Sequence, residues 1–535
     1  MTREAPLDDS STGSESSPLF HATYDDFPYG ARPVQATHVD HLFVEARRAG
    51  LATRHPSEAR VLELGCAEGT NLLPMADRYE GARFVGVDAG VKHIRRATAL
   101  RDRLGLENVE LIGTDILDYR PDQKFDYIVC HGVLSWVPEE VRERIFAIVR
   151  DHLDEHGVAY VSYNVSAGWG VRSQLRRVLR ARTRGAVNAH EAVAHVRGLL
   201  GLFADNPLAS SRYAGYLADE ARAALGRSDG YLVHEFLAAE NVAFACSEVL
   251  ARAARHALRS VGELTRGKDE DALREVVENI TDEAGEREDL LDTLLGRAFR
   301  ASLFAHSDAV LTPPGPALAT AVCFGSALSP EERRPSLDPG DTEAFVTPTG
   351  ERVGVEAPLT KAALLELHAS TPRVVPFEAL VARSEDRLRM RRVLEADQRA
   401  TDAQREALAV DLLELHRLGH VALRASARDV AVEPGPLPRL SSLSRVEARE
   451  LGWVSDGMHR AHELDGPARH LAGLLDGSRD VPTLASLLRA HLAEVGVVLR
   501  DEAGEPLAEE REQEFLLGYV ATMLQRFTRL GILVR

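Results

Sequence analysis

The sequence predicts an α/β protein with three parts. These are a doubly wound, mostly parallel sheet near the N-terminus, a helical region after it, and winged-helix-like units at the C-terminal end. Three observations support this. Residues 39–180 alternate short apolar strand-like runs with helical stretches, the pattern of right-handed βαβ units. Residues 186–310 are rich in Ala, Leu, Glu and Arg and carry few strand signals. In the C-terminal third, a helix runs into a short strand twice, at Leu412 to Leu423 and at Phe515 to Val534.

Residues 1–18 read as a disordered tail, serine-rich and with Arg3 facing Glu4, Asp8, Asp9 and Glu15, the wrong polarity for a signal peptide. Within residues 19–185, a first strand at Arg60–Leu64 ends at Gly65, and a helix runs from Asn71 to Arg78. Arg83–Val87 is a second strand ending at Asp88, and Val91–Leu104 is helical. Val109–Ile112, Phe125–Cys130 and Val158–Tyr163 are further strands. Ligands in such folds bind at the carboxyl ends of the strands. In the helical region 186–310, Tyr231–Glu263 and Asp289–Ala305 show helical apolar spacing. A Pro-rich connector begins at Thr312-Pro313-Pro314-Gly315-Pro316, so residues 311–343 read as a linker. Residues 344–430, opened by a hairpin at Thr349-Gly350, and residues 431–535 read as two winged-helix-like units.

At 535 residues the chain has room for roughly three to four domains. Its 64 basic and 82 acidic residues leave a net charge of -18, which disfavours a nucleic-acid-binding surface and suits a basic, lysine-rich partner. Cys66, Cys130, Cys246 and Cys323 are too scattered for a disulfide framework or a metal site, so a reducing cytoplasm is expected. No apolar run reaches the roughly 18 residues of a spanning helix, so membrane insertion is not expected. His234-Glu235 has no second histidine at metal spacing, and no metal is assigned.

The chemistry concentrates in Glu63-Leu64-Gly65-Cys66-Ala67-Glu68-Gly69-Thr70-Asn71, between a strand and a helix. Gly65 and Gly69 permit a tight turn and close backbone approach to a ligand, with small Ala67 between them. A glycine-rich loop alone is weak evidence, because a plain strand–helix turn has the same pattern. Three further strand ends strengthen it. Asp88 can accept both hydroxyls of a ribose, Asp115 followed by Ile116 can take an adenine amino hydrogen beside an apolar contact, and His131-Gly132 ends the fourth strand. Such acidic strand ends suit a nucleoside with a cationic head better than a pyrophosphate. The dinucleotide pattern would also want a glycine near Thr70, which is absent.

This stretch resembles the class I S-adenosyl-L-methionine (SAM)-dependent methyltransferases, whose first motif runs acidic-x-Gly-x-Gly-x-Gly. Ala67 replaces the middle glycine. The resemblance extends to bacterial methyltransferases with a methyltransferase regulatory domain, among them the rickettsial protein-lysine methyltransferases. It is carried by Tyr24-Asp25-Asp26-Phe27-Pro28-Tyr29, Thr37-His38, Asn71-Leu72-Leu73-Pro74-Met75-Ala76 and Phe125-Asp126-Tyr127-Ile128. Further segments are His131-Gly132-Val133-Leu134-Ser135-Trp136-Val137-Pro138, Tyr160-Val161-Ser162-Tyr163-Asn164 and Gly168-Trp169. The series continues through Tyr231-Leu232-Val233-His234-Glu235, Arg297-Ala298-Phe299-Arg300-Ala301-Ser302-Leu303 and Leu474-Leu475-Asp476-Gly477. Departures lie at Val165-Ser166-Ala167 and Gly170, where relatives tend to carry proline and histidine and where the acceptor pocket is expected.

The resemblance implies a Rossmann-like methyltransferase domain with SAM as cofactor. Glu63 would reach the methionine amino group, and Gly65, Cys66, Ala67 and Gly69 would pass beside the methionine. Asp88 and Ala89 would take the ribose, and Asp115 and Ile116 the adenine, with His131 and Gly132 beside them. Tyr24 and Tyr29 would fold over as a lid. The plain alternatives are a helix N-cap for Asp115 and a packed arm for the two tyrosines. On the acceptor side the candidates are His131, Trp136, Tyr163 and Asn164: polar groups to orient an amine, an aromatic face for a cation, and His131 as base or hydrogen-bonding group. Core packing is the competing reading for Trp136 and Trp169. Residues beyond 186 are expected to select the acceptor rather than bind cofactor. The function implied is methylation of a protein or peptide side chain such as lysine. A small-molecule or natural-product methyltransferase and a non-catalytic SAM-binding regulator are the alternatives, an NAD-dependent dehydrogenase is weaker, and a homodimer is left open.

Overall fold

The computed structural model describes residues 32–205, 211–265, 270–312, 314–500 and 505–534. The expected tail 1–18 and the lid residues Tyr24 and Tyr29 lie outside the described residues. Among those described, the central sheet has eight strands in the order β3-β2-β1-β4-β5-β8-β7, with β6 against β5. The strands are β1 Arg60–Leu64, β2 Arg83–Asp88, β3 Val109–Gly113, β4 Phe125–Cys130, β5 Leu153–Val165, β6 Ala243–Phe244, β7 Leu258–Glu263 and β8 Phe299–His306. β1 to β6 run parallel, and β8 and β7 close the sheet antiparallel. The strand order reverses between β1 and β4, the switch point where such sheets bind ligands.

The central parallel strands are apolar on both faces because helices cover both faces, whereas the edge strand β3 exposes Glu110. β4 is buried along its whole length, and Val61, Leu62 and Leu64 of β1 are fully covered. One layer holds α1 (Val39–Arg48) and α2 (Leu72–Arg78); α3 (Val91–Leu104) follows β2 and α4 (Glu139–His152) follows β4. α3 stops at Gly105, whose φ of +68° supplies the left-handed cap that a side chain would resist. The paired acids Glu139 and Glu140 open α4, where the helix dipole favours negative charge.

The helical reading of residues 186–310 is corrected by the structure. Helices α5 (Ser166–Thr183), α6 (Ala189–Ala204), α7 (Arg212–Leu225), α8 (Asp229–Leu232, continued by a π-turn through Leu237), α9 (Cys246–Arg255), α10 (Glu270–Glu278) and α11 (Ala284–Leu295) are present. The two segments with helical spacing also contain strands. Tyr231–Glu263 holds β6 and β7, and Asp289–Ala305 leaves its helix at Leu295 and enters β8. β8 pairs with β5 from Ala159↔Phe304 to Asn164↔Phe299, so a boundary at residue 185 would cut through one continuous sheet. The helical pattern misled because β8 is buried on both faces, where apolar residues occur without alternation.

Buried charge ties this region together. Arg300, only 1% exposed, donates from Nε to Asp292 (2.8 and 3.0 Å) and reaches Glu263 at 3.1 Å and Glu288 at 2.7 Å. Burial pushes the Glu288 carboxyl up, but Arg274 and Arg300 outweigh it and hold the group at about 2.

The expected linker 311–343 is also corrected. It contains β9 (Cys323–Ser326), the central strand of a three-stranded sheet with β13 (Val375–Pro376) and β14 (Val421–Arg424). It also contains β10 (Ser329–Pro330), which pairs with the hairpin β11 (Glu343–Val346) and β12 (Arg352–Val355). Helices α12 (Pro358–Ser370), α13 (Phe377–Met390) and α14 (Asp402–Arg417) complete this unit, whose Phe324, Leu364 and Leu412 share one apolar core with Leu42 and Phe43 of α1. The last unit pairs β15 (Arg439–Leu440) with β18 (Leu533–Val534). It carries a two-stranded wing, β16 (Trp453–Ser455) and β17 (Ala461–Glu463). Leu471, Leu488, Leu524 and Phe527 form its core. Among the described residues no helix is long and apolar enough to cross a membrane.

A chain ending near residue 185 loses the β8 partner along the whole Ala159–Asn164 edge and the cover over that edge. We expect it to aggregate and to show no cooperative thermal transition by circular dichroism. A soluble, SAM-binding fragment would contradict this placement of β8.

Candidate active site

The β1–α2 loop is built on left-handed backbone. Gly65 has φ +76°, Ala67 φ +45° and Gly69 φ +72°. At Gly65 a Cβ would stand 2.5 Å from Val133 Cγ2 on the loop after β4, so glycine is required for packing as well as for φ. Ala67 holds its unfavourable φ because its N–H donates to Asp88 Oδ2 at 2.9 Å, while Asp88 Oδ1 accepts from Gly90 N–H at 2.7 Å. Asp88 therefore sets the loop and, with His93 as a third donor, keeps about one of a carboxylate's roughly four lone pairs free at the end of β2. Burial raises its carboxyl, but hydrogen bonds from His93, Gly90 and Ala67 outweigh this and hold it below the ordinary range. Ala89, next in the chain, is exposed, and Cys66 is buried with its thiol pushed up, chiefly by burial.

Glu63 lies under the loop, 4% exposed. Its Oε1 accepts from Asn71 Nδ2 at 2.9 Å, and its Oε2 is buried with no hydrogen-bond partner among the described residues. Burial, helped by the Asp88 charge and opposed by the Asn71 hydrogen bond, pushes the carboxyl up to about 7. A buried carboxylate with one orphaned oxygen awaits a cation or a donor.

At the end of β3, Asp115 is exposed and its Oδ1 accepts from Leu117 N–H at 2.8 Å, which is turn capping, while Ile116 is buried beneath it. Asp115 thus caps a turn; no helix starts there among the described residues, so the helix N-cap alternative is not what is seen. At the end of β4, Gly132 has φ +65° and open space where a Cβ would stand. His131 is held from the side: Nδ1 is 2.9 Å from the Tyr160 hydroxyl and 3.4 Å from Ser162 Oγ, and the Phe299 ring meets it edge-on at 6.0 Å. Ser162 Oγ also accepts from Gly132 N–H at 2.8 Å. Burial drops the imidazole to about 4, so it is neutral at pH 7 and a weak base.

The acceptor-side reading of Tyr163 is corrected. Its ring is 1% exposed among Val161, Val165 and Phe244, and its hydroxyl meets Cys246 Sγ at 3.5 Å and Ser302 Oγ at 3.2 Å. The reason is strand alternation: Tyr160, Ser162 and Asn164 face the His131 side of β5, and Tyr163 faces the other. Asn164 is buried there, its N–H donating to Ser135 Oγ at 2.8 Å and its Nδ2 to Asn241 Oδ1 at 2.9 Å. Trp136 is half-buried at the end of a short 3-10 turn, and Trp169 is a core residue that donates to the Ala298 carbonyl at 3.1 Å. Three residues that the sequence reading gave no role, Tyr160, Ser162 and Phe299, hold His131. The period-two pattern along β5 was the signal for the first two. His234 and Glu235 are buried in the π-turn, and among the described residues no cluster of three or more His, Cys, Asp or Glu side chains is arranged to hold a metal ion.

Comparisons agree with this geometry. Residues 55–195 match the family described as methyltransferase domain. Residues 228–306 match the "Predicted methyltransferase regulatory domain" and residues 437–532 the "PKMT, C-terminal winged helix domain". The uncharacterized protein RP789 of Rickettsia prowazekii is 34% identical over 295 residues, 54% of this chain and 53% of that one. RP028 of the same organism is 31% identical over 217 residues, 40% of this chain and 87% of that one. The chain thus spans about half the length of the first relative and most of the second. PKMT2 from Rickettsia typhi, solved in complex with AdoHcy, superposes with a TM-score of 0.79 at 21% identity, covering 95% of this chain and 100% of that one. The chain belongs to the class I SAM-dependent methyltransferases that carry a methyltransferase regulatory domain. Its cofactor is SAM, and the residues present fit it: the orphaned Glu63 Oε2 suits an ammonium, and the remaining acceptor position of Asp88 suits a ribose hydroxyl.

Two outcomes follow from this arrangement. Asp88→Ala removes a charged acceptor, worth about 1.5–3 kcal/mol, so SAM affinity measured by calorimetry is expected to fall at least about tenfold. An unchanged affinity would remove Asp88 from the site. The second concerns pH. Glu63 titrates near 7 in the free protein, and an ammonium beside it favours the carboxylate. SAM binding therefore expels a proton below pH 7, so affinity falls toward about tenfold per pH unit on the acid side and levels above 7. Glu63→Gln should weaken binding and flatten that slope, which separates Glu63 from His93, whose hydrogen bond to Asp88 raises its own titration.

Proposed function

We propose that this protein transfers a methyl group from SAM to the side-chain nitrogen of lysine in a protein or peptide acceptor. The observation that carries this reading is the extent of the likeness to the rickettsial PKMT2. It covers 95% of the chain, so the regulatory strands and both C-terminal units are shared, not only the SAM-binding sheet. A match to a winged-helix domain described for PKMT supports it. The net charge of -18 favours a lysine-rich partner.

SAM, when bound, supplies a methyl group on a sulfonium that is already a good leaving group. Little is then asked of side-chain acid–base chemistry, and holding an amine in line can contribute about 7–11 kcal/mol. The residues here fit that division of labour. Glu63 takes the methionine ammonium of the cofactor and Asp88 its ribose. His131, kept neutral by burial and fixed by Tyr160 and Ser162, acts by position and hydrogen bonding rather than as a strong base. A free lysine has a pKa near 10.4, so about one amine in two thousand is neutral at pH 7, and a partly desolvated pocket raises that fraction.

Methyl-labelled SAM incubated with the full chain and a bacterial lysate, followed by mass spectrometry of labelled species, tests this. Label is expected on lysine Nζ of protein, and it should disappear with Asp88→Ala. Label confined to low-mass metabolites would replace the reading with a small-molecule methyltransferase.

A further inference from the structure

The C-terminal unit reaches Asn71, the hydrogen-bond partner of Glu63. Its wing is the turn between β16 and β17, and Asp456, 5% exposed, holds that turn closed. Oδ1 accepts from the N–H groups of Met458 (2.7 Å) and Arg460 (3.0 Å), and Oδ2 accepts from Arg460 Nε (2.9 Å) and lies 2.7 Å from His462 Nε2. His459 near the apex has φ +62°, a conformation that residues with side chains rarely adopt. Its side chain is turned into the protein, 2% exposed, with its ring 4.9 Å from that of His38. Its Nε2 stands 2.9 Å from Asn71 Oδ1, across 388 positions of sequence.

We propose that His459 is a positioning residue for the cofactor site: its Nε2–H fixes the Asn71 amide, which in turn aims Glu63 at the methionine end of SAM. The pocket is then complete only when the C-terminal unit is seated.

The hydrogen bonds allow one arrangement. Asn71 Oδ1 also accepts from Val34 N–H at 3.0 Å and faces the Thr37 hydroxyl at 2.9 Å, so the donor-rich side of the amide cannot turn that way. Asn71 Nδ2 is left to donate to Glu63 Oε1, and Glu63 Oε2 remains directed elsewhere. Burial drops His459 to about 3, with Arg428 and Arg78 adding to the drop and Asp456 opposing it. The ring is therefore neutral at working pH and donates from Nε2. His38 beside it is likewise held neutral by burial, with His459, Arg78, Arg424 and Arg428 facing it. Around Glu63 the titratable neighbours are Asp88 and the thiols of Cys66 and Cys130.

The proposal rests on Glu63 as the partner of the cofactor's ammonium, and the test separates the two. SAM is titrated by calorimetry into the full chain between pH 6 and 8.5, with thermal unfolding recorded for each variant. His459→Phe keeps a ring of similar size and lacks the donor. It should bind SAM about five- to tenfold more weakly, the scale of one neutral hydrogen bond to a buried acceptor. Its acid-side loss of affinity should also begin at higher pH, because Glu63 loses part of the hydrogen bond that holds it down. His459→Gln, an amide donor of similar reach, should stay within about threefold of the native chain. If His459→Phe lacks a native unfolding transition, His459→Asn, polar but too short to reach, takes its place with the same expected outcome. Native affinity in the donor-less variant overturns the proposal. Equal weakening in the Phe and Gln variants with an unmoved pH midpoint also overturns it, because packing alone would then be responsible. Native affinity and slope in Glu63→Gln would instead overturn the placement of Glu63, on which the proposal rests. Weak binding in Glu63→Gln beside native binding in His459→Phe would overturn the relay alone.

Discussion

The side-chain amide of Asn71 is the constraint on which the cofactor end of the molecule depends. One oxygen faces the chain entering α1, through Val34 and Thr37, and the wing of the last unit, through His459. The nitrogen on the other side meets Glu63. At 8% exposure the amide has little water to fall back on, so each bond matters more than it would at the surface. Two distant parts of the chain therefore converge on the residue that hydrogen-bonds the buried Glu63 carboxylate.

The other half of the sheet depends on a second buried polar centre. Arg300 is enclosed by Asp292, Glu263 and Glu288, and its neighbour Arg297 bonds Glu270. Burying such charges costs several kcal/mol per ion and is offset only when every partner is present. The segment that supplies β7 and β8 thus folds with the methyltransferase sheet, and Phe299 at the start of β8 comes to rest against His131. A region matched as regulatory by sequence is structurally a part of the wall that holds His131.

Strand alternation decides which residues that wall presents. Along β5 the side chains at 160, 162 and 164 share the face of His131, and those at 161, 163 and 165 enter the core with α4 and α9. Two adjacent residues, Tyr163 and Asn164, therefore have opposite surroundings although both end the same strand.

The strand ends were legible in the sequence because turn chemistry is local. Gly65, Gly69, Asp88 and His131 lie within a few residues of the strands that deliver them, and left-handed backbone or a capping carboxylate leaves a short-range mark. The same local reading offered two uses for Asp115 and left them open, and the structure shows its Oδ1 on Leu117 N–H. It failed at β8, where burial on both faces erases the alternation that marks a strand, and at β9, where a proline-rich approach resembles a linker. By itself the sequence determined the parallel strands β1 to β5 and the cofactor class. Only tertiary structure decided that Tyr163 turns away from the cleft, that Phe299 closes on His131, and that His459 reaches Asn71. Each of those outcomes depends on pairing between segments far apart in the chain, and a contact across 388 positions leaves no trace in the local pattern of either partner.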